Sequence, residues 1–359
     1  MILTLVPDIA GVPAGQWDAL SARAGLYLSH RWLAAQQHDP TARVHYALVH
    51  DEGRLVAAAP LYVVGTEPND LYRVHEVVPG REPARTVLAG ARRGYVNAPL
   101  LHPRLAPPLR REALGRLVGA ARSLAEAEGA RPWWLYVTDA AAAELADACG
   151  TAPVRLNEEA RIPLPGAAFE DYLAGLPRAR RTCVRRERRA FAEAGYELRT
   201  LRLSECADEA GALAARLQER HGHPIDPAFM AALLRDQAEG MADTGIVLAA
   251  YAEGRMAAFS LFYLHADTVW LRSTGYDYDR LRDAHEYFNL GYYLPIEYAY
   301  AHGATAIHLG MESLRAKTLR GGVTSALWAV EAGAPADAPA GPAPAPAQAA
   351  TGPDPSSAG

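Results

Sequence analysis

Apolar positions along the chain gather into short runs of strand length, separated by acidic-glycine turns and by longer amphipathic stretches. Residues 46–50 and 55–64 are two such runs around Asp51-Glu52-Gly53, a pattern that predicts a β-hairpin. A helix is predicted over 107–128, a buried strand over 133–138 and a short helix over 140–149. The second half repeats the rhythm. Residues 246–251 and 256–264 read as strands around Glu253-Gly254-Arg255, and a third strand, 268–274, follows His265-Ala266-Asp267. A helix over about 283–302 comes next, with Gly303 where a terminating glycine is wanted. A strand at 305–309, a short helix near 313–319 and a last strand at 325–331 complete the pattern.

The recurrence of strand, tight turn, strand, helix, strand, helix at about half the chain length implies two like domains. The alternative is a chance likeness between two α/β halves. The order fits an α/β protein with a mixed sheet flanked by helices. The expected division is 1–155 and 156–331, followed by an Ala/Pro-rich tail, 332–359, too poor in large apolar residues to fold and expected to be disordered.

Composition changes this picture little. The chain has 359 residues, 50% hydrophobic and 21% charged, which suits real cores and, at this length, two of them. A net charge of −5 makes the whole chain a poor general nucleic-acid binder. Cys149, Cys183 and Cys206 are odd in number and lack metal-ligand spacing, so neither a disulfide framework nor a metal site is expected. The opening residues have no basic stretch and read as a strand rather than a signal peptide. No apolar run reaches the ~20 residues of a membrane span, and a cytoplasmic location is expected.

Two stretches resemble a known family. LAGLPRARRTCVRRERRAFAEAGYELRTL, residues 173–201, is a basic helix leading through a glycine to a strand. Residues 270–322 run from WLRSTGYDYDRLRDAHEYF to a Lys-x-x-Arg-Gly ending, here Lys317, Arg320 and Gly321. Together they resemble the Fem-like, peptidoglycan-bridge branch of the GNAT acyltransferase superfamily. The resemblance implies tandem GNAT folds and direct transfer of an acyl or aminoacyl group onto an amine, from donors that include aminoacyl-tRNA. It points to Lys317 and Arg320 as binding residues. The long charged helical hairpin that some bridge-forming enzymes carry is missing from this sequence.

The residues themselves limit the donor. A CoA-dependent enzyme of this superfamily cradles pyrophosphate in a glycine-rich turn before a helix. The corresponding stretch here, 274–283, has one glycine and three aspartates, which disfavours a standard CoA site. A donor on a larger carrier, tRNA or an acyl carrier protein, is expected instead. Seven arginines fall between Arg178 and Arg189 against the single Glu187. Helical spacing places Arg181, Arg185 and Arg188 on one face with Arg178 and Arg189, able to hold phosphates or an acidic carrier. The alternative is a solvated face paired with acidic neighbours.

Acyl transfer needs a base, an oxyanion donor and positioning. Candidate bases are His285 and Glu286 at a helix start and Glu312 beyond a strand end. Lys317 and Arg320, one helical turn apart, are candidate contacts to a phosphate or carboxylate, or else a surface pair. Arg272, Tyr276 and Asn289 could line the same cleft, although most of the tyrosines nearby must be packing residues. No cofactor is expected beyond the donor and an amine acceptor on a small molecule or peptide. The rival readings are an acyl-CoA-dependent N-acyltransferase and a non-catalytic tandem-GNAT binding module.

Overall fold

The computed structural model describes residues 1–222 and 224–333. The expected tail thus lies, from 334 onward, outside the described residues. Its first residue, Ala332, is buried and donates its N–H to the Pro132 carbonyl at 2.8 Å.

The chain runs twice through one element order. The first pass is β1 (Ile2–Val6), α1 (Ala14–Ser21), α2 (His30–Gln36), β2 (Ala42–Asp51) and β3 (Arg54–Val64). It continues through α3 (Val74–Val77), β4 (Thr86–Ala89), β5 (Leu100–Leu101), α4 (Pro107–Ala127), β6 (Arg131–Thr138), α5 (Asp139–Cys149) and β7 (Val154–Pro163). Two linking helices follow, α6 (Phe169–Ala174) and α7 (Arg178–Glu193). The second pass is β8 (Glu197–Arg202), α8 (Leu203–Arg220), α9 (Pro227–Gly240), β9 (Ile246–Ala252), β10 (Arg255–His265) and β11 (Thr268–Tyr276). It closes with α10 (Glu286–Phe288), α11 (Leu294–Ala301), β12 (Ala306–Met311), α12 (Leu314–Thr318) and β13 (Val323–Glu331).

The helix expected over 283–302 runs unbroken from Glu286 to Ala301 but changes type inside. Between α10 and α11 the backbone forms a π-helical turn, Asn289–Tyr293, just ahead of Pro295. Proline has no N–H for the preceding turn, so the wider turn absorbs the mismatch.

The strands make one continuous mixed sheet in the order β1-β2-β3-β4-β6-β13-β7-β12-β11-β10-β9-β8, with β5 on the side of β3. Its centre is an exchange. β13, last in the second pass, pairs with β6 of the first, while β7 pairs with β12 of the second, and both pairings are antiparallel. β7 and β13 also pair with each other. Ladder hydrogen bonds therefore run unbroken from one half to the other.

On one face a single apolar cluster spans both halves, joining Trp17, Tyr27 and Trp32 to Leu213, Leu234, Phe259 and Trp270. The opposite face is divided: α4 and α5 pack the first half through Leu114, Leu117 and Leu145, and α11 packs the second through Ile296 and Ala299. Among the described residues no helix is long and apolar enough to cross a membrane.

Candidate active site

Each half contains one pair of parallel neighbours that part company. β4 and β6 are paired from Thr86/Arg131 to Ala89/Trp134, and β11 and β12 only from Thr268/Ala306 to Trp270/His308. Beyond these points the strands diverge at their carboxyl ends, the side on which ligands enter parallel sheets.

The two openings are treated differently. In the first half Asn97 fills the gap. It donates to the Ala89 and Leu135 carbonyls at 3.2 and 3.3 Å, and its amide oxygen accepts the Ala91 N–H at 3.0 Å. Asn97→Ala would leave buried backbone groups on both strands without partners. Urea unfolding should register a loss of about 1–3 kcal/mol.

In the second half no such plug from the half itself is found among the described residues. Tyr95 reaches across from the first half, its hydroxyl donating to the Arg272 carbonyl at 3.3 Å and its ring lying beside Gly310. Gly310 has φ +69°, and a Cβ there would stand 3.2 Å from the Tyr95 ring, so backbone conformation and space both call for glycine. β12 loses register between His308 and Met311, a bulge that turns its end out of the ladder.

Lys317 sits behind this bulge and is only 5% exposed. Its ammonium donates to the carbonyls of Gly310, at 3.0 Å, and Met311. Burial lowers its pKa to about 8, with the Glu312 carboxylate pulling the other way. Glu312 is exposed at the mouth of the opening, and it and Ser313 both take left-handed backbone angles, φ +64° and +45°. Non-glycine residues held there are strained, and such strain gathers at functional sites.

Arg320 faces inward. Its guanidinium forms a buried pair with Glu187 of α7 at 3.0 Å, donates to the Tyr293 hydroxyl at 2.9 Å and lies 3.3 Å from the Phe288 ring centroid. Tyr293 in turn donates to Glu187. Burial pushes the Glu187 carboxyl up, yet the Tyr293 and Arg320 contacts prevail and hold it below the ordinary range. Asn289 is buried and donates to the carbonyls of Glu187 and His285 at 3.2 and 2.9 Å, fixing α7 against the π-helical turn. Glu187, Arg320 and Asn289 therefore make up the frame behind Lys317.

Glu286, expected as a possible base, has another task here. It is 4% exposed. One carboxylate oxygen accepts the Arg282 N–H at 2.9 Å and the Tyr196 hydroxyl at 2.6 Å, and the other accepts the Ala284 N–H at 3.1 Å. The His285 side chain is partly exposed and makes no hydrogen bond among the described residues. Tyr276 packs in an apolar cluster with Phe191 and Leu290.

The basic helix is also rearranged relative to expectation. Val184, Glu187 and Phe191 point inward, and this fixes which arginines are free. Arg181 donates to the Leu176 carbonyl at 2.6 Å, Arg185 pairs with Glu170 at 2.8 Å, and Arg188 pairs with Glu297 over the Phe169 ring. Those three are engaged by the chain itself. Arg178, Arg186 and Arg189 are exposed and have no carboxylate partner among the described residues.

His308 and Glu159 escaped the sequence reading. His308 is buried where the β11–β12 ladder ends, stacks on Trp270 at 4.3 Å and bonds Glu159 at 2.6 Å. Its other ring nitrogen accepts the Gly310 N–H at 3.3 Å, which ties the dyad to the bulge. The available signal was a histidine inside an otherwise apolar strand ending in glycine.

Two parallel-strand openings, one plugged and one holding a buried lysine, define a tandem GNAT-fold protein. The similarities agree. The chain belongs to the FemAB-like family, described as peptidoglycan biosynthesis/recognition, whose model matches residues 100–333. It is an acyltransferase of the GNAT type.

Among solved structures it is similar to FemX, at 12% identity over 91% of this chain and 97% of that one, with a TM-score of 0.61. A tandem GNAT protein from the clavulanic acid biosynthesis pathway is 17% identical over 94% of this chain and 100% of its own, with a TM-score of 0.53. L-PGS from Bacillus licheniformis is 12% identical over 90% and 91% of the two chains, with a TM-score of 0.54. At such identities these likenesses establish the fold alone. No curated protein matches the chain.

Proposed function

We propose that this protein transfers an aminoacyl group from aminoacyl-tRNA onto an amine of a small molecule or peptide, by direct attack within the second-half opening. The first half, 1–155, then serves as a plugged support, and 156–331 carries the reaction.

The observation that carries the donor assignment is Glu286. In the loop after β11, where a CoA pyrophosphate would meet backbone N–H groups, its carboxylate already takes the Arg282 and Ala284 amides. Asp277 lies in the same loop, buried and paired to Arg216 and Arg280 at 2.7 Å. A pyrophosphate would have to displace one fixed anion beside another, a strongly unfavourable exchange in a partly buried site. An ester on the end of a tRNA needs no pyrophosphate cradle there. It needs a basic surface for distant phosphates, and Arg178, Arg186 and Arg189 provide one.

In the reaction the amine nitrogen bonds to the ester carbonyl carbon and the ribose oxygen leaves. Glu312 accepts the proton released from nitrogen, and that proton passes to the departing oxygen. The Lys317 ammonium, fixed by two carbonyls, stabilises the negative charge that develops on the carbonyl oxygen.

A binding titration at two salt concentrations tests the donor. Aminoacyl-tRNA should bind with strong salt dependence, and acetyl-CoA should not bind. Replacing Arg178, Arg186 and Arg189 together by glutamine should flatten the log–log salt slope by roughly 2, at about 0.7 per phosphate contact. Neutralising Arg181, Arg185 and Arg188 should lower stability more than it changes that slope. Tight acetyl-CoA binding would replace this reading with an acyl-CoA-dependent N-acyltransferase. Binding of a loaded acyl carrier protein in place of tRNA would change the donor, and binding of none would favour a recognition module without turnover.

A further inference from the structure

On the β11 side of the same opening, Arg272 stands in a box of aromatic side chains from both halves. Its guanidinium lies 5.4 Å from the Trp32 ring centroid and 5.3 Å from that of Tyr95. Tyr27, Tyr72 and Tyr263 are close enough to share its electrostatic field. Tyr27 packs edge-on against Trp32, Tyr95 and Trp270, at 5.1, 5.4 and 5.5 Å between ring centroids.

The polar groups of this box fall into two sets. Three hydroxyls are committed to the scaffold: Tyr72 donates to the Gly94 carbonyl at 2.9 Å, Tyr95 to the Arg272 carbonyl, and Tyr263 accepts from Gln237 at 2.6 Å. The others are not. Among the described residues the Arg272 side chain has no carboxylate partner, and the Tyr27 hydroxyl is the polar group that meets it. The Tyr27 hydroxyl lies against the guanidinium, close enough to interact with it, and has no other partner, and the Trp32 indole N–H has none among the described residues. Tyr27 and Trp32 are each 1% exposed, whereas Arg272 is partly open to solvent.

Buried donors are almost always paired, and an arginine fork enclosed by rings without an anion is an unfilled demand. We propose that Arg272 and the Tyr27 hydroxyl form a recognition site for a free carboxylate, with Trp32 and Tyr95 as its walls, and that its ligand is an amino acid or peptide. The charge count selects the class. One guanidinium and neutral donors match a planar monoanion, which the fork grips through two parallel N–H bonds. A phosphate ester, with more charge and a tetrahedral shape, would require further cations that the box lacks. Tyr95 links the site to the reaction centre, since it touches both Arg272 and the Gly310 bulge that Lys317 holds. The identification of the carboxylate as the amine acceptor's own rests on the acyl-transfer reading; the anion site itself does not.

Fluorescence of the tryptophans in the box, Trp32 and Trp270, provides the test, with alanyl-alanine, its C-terminal amide and inorganic phosphate as probes. The free dipeptide should give a saturable change, the amide should bind at least tenfold more weakly, and phosphate should not compete. Arg272→Gln should abolish the dipeptide signal, and Tyr27→Phe should weaken it severalfold. If Arg272→Gln does not fold, Tyr27→Phe decides, because it removes one hydroxyl and keeps the ring. Equal binding of the amide, competition by phosphate, unchanged binding in Tyr27→Phe, or no saturable change with the dipeptide each overturns the proposal. Lys317→Met should keep dipeptide binding. Intact dipeptide binding without aminoacyl transfer in the wild type would sink the transfer reading alone, and transfer without dipeptide binding would sink only this one.

Discussion

Methionine in place of Lys317 should lower kcat for aminoacyl transfer by about 10²–10³-fold, the usual loss when one fixed oxyanion donor is removed. The length and most of the volume of the side chain are kept, so the effect isolates the charge. A pH profile gives an independent check. With a pKa of about 8, the ammonium on which the reaction depends is present at neutral pH and is lost as pH rises through that value.

Stability should respond in the opposite sense. Burial lowers the Lys317 pKa from 10.5 to about 8, so between those values the unfolded chain binds the proton and the folded one does not. Raising pH across that window therefore favours the folded state at this residue while it removes activity. A parallel loss of both would contradict the assigned role. Lys317→Arg should extend the alkaline limb, since a guanidinium keeps its proton, even where its geometry reduces the maximum rate. An unaltered kcat in Lys317→Met would remove this residue from the mechanism.

The largest effect on folding is expected at Arg320. Arg320→Met leaves the Glu187 carboxylate inside the protein with, among the described residues, only the Tyr293 hydroxyl and the Cys183 thiol as side-chain partners. Breaking a buried pair from one side costs about 3–5 kcal/mol, because an uncompensated charge remains. Denaturant unfolding should report that loss, and replacing Glu187 and Arg320 together by apolar residues should recover most of it. A double mutant as unstable as the sum of the two single mutants would mean that the residues act independently.

Acid should reproduce the effect in the wild type. The folded Glu187 pKa lies below its ordinary value of 4.5, so its contribution is complete above that value and disappears as pH falls through the folded one. On the proposed mechanism the Lys-x-x-Arg-Gly ending divides its labour: lysine toward the reaction, arginine toward the frame.

Most of the fold was legible because strand periodicity and turn chemistry are local. The hairpin predicted around Asp51-Glu52-Gly53 is β2–β3, the one around Glu253-Gly254-Arg255 is β9–β10, and the helix predicted over 107–128 is α4. The doubled element order was visible for the same reason. Helices α1, α2, α8 and α9 were not identified, although they line the core that both halves share.

Side-chain roles divide on the same physical ground. The sequence alone showed that the Arg178–Arg189 helix is exceptionally basic and that the loop after β11 is rich in aspartate and poor in glycine, since both follow from residue types within a few positions. It could not tell free arginines from engaged ones. That depends on which face of α7 meets the sheet, and Glu187 turns inward only because Arg320, 133 residues later, is there to pair with it.

Glu286 looked like a base by its position, and two backbone amides and a tyrosine made it a structural anchor. His308 with Glu159, and Arg272 with Tyr27, join residues 149 and 245 positions apart, brought together only when β7 and β13 exchange halves and the sheet becomes continuous. Local sequence determined the strands, the helices and the charge carried by each segment. Contacts between distant segments decided which of those charges are buried, which are paired, and which are left facing the opening.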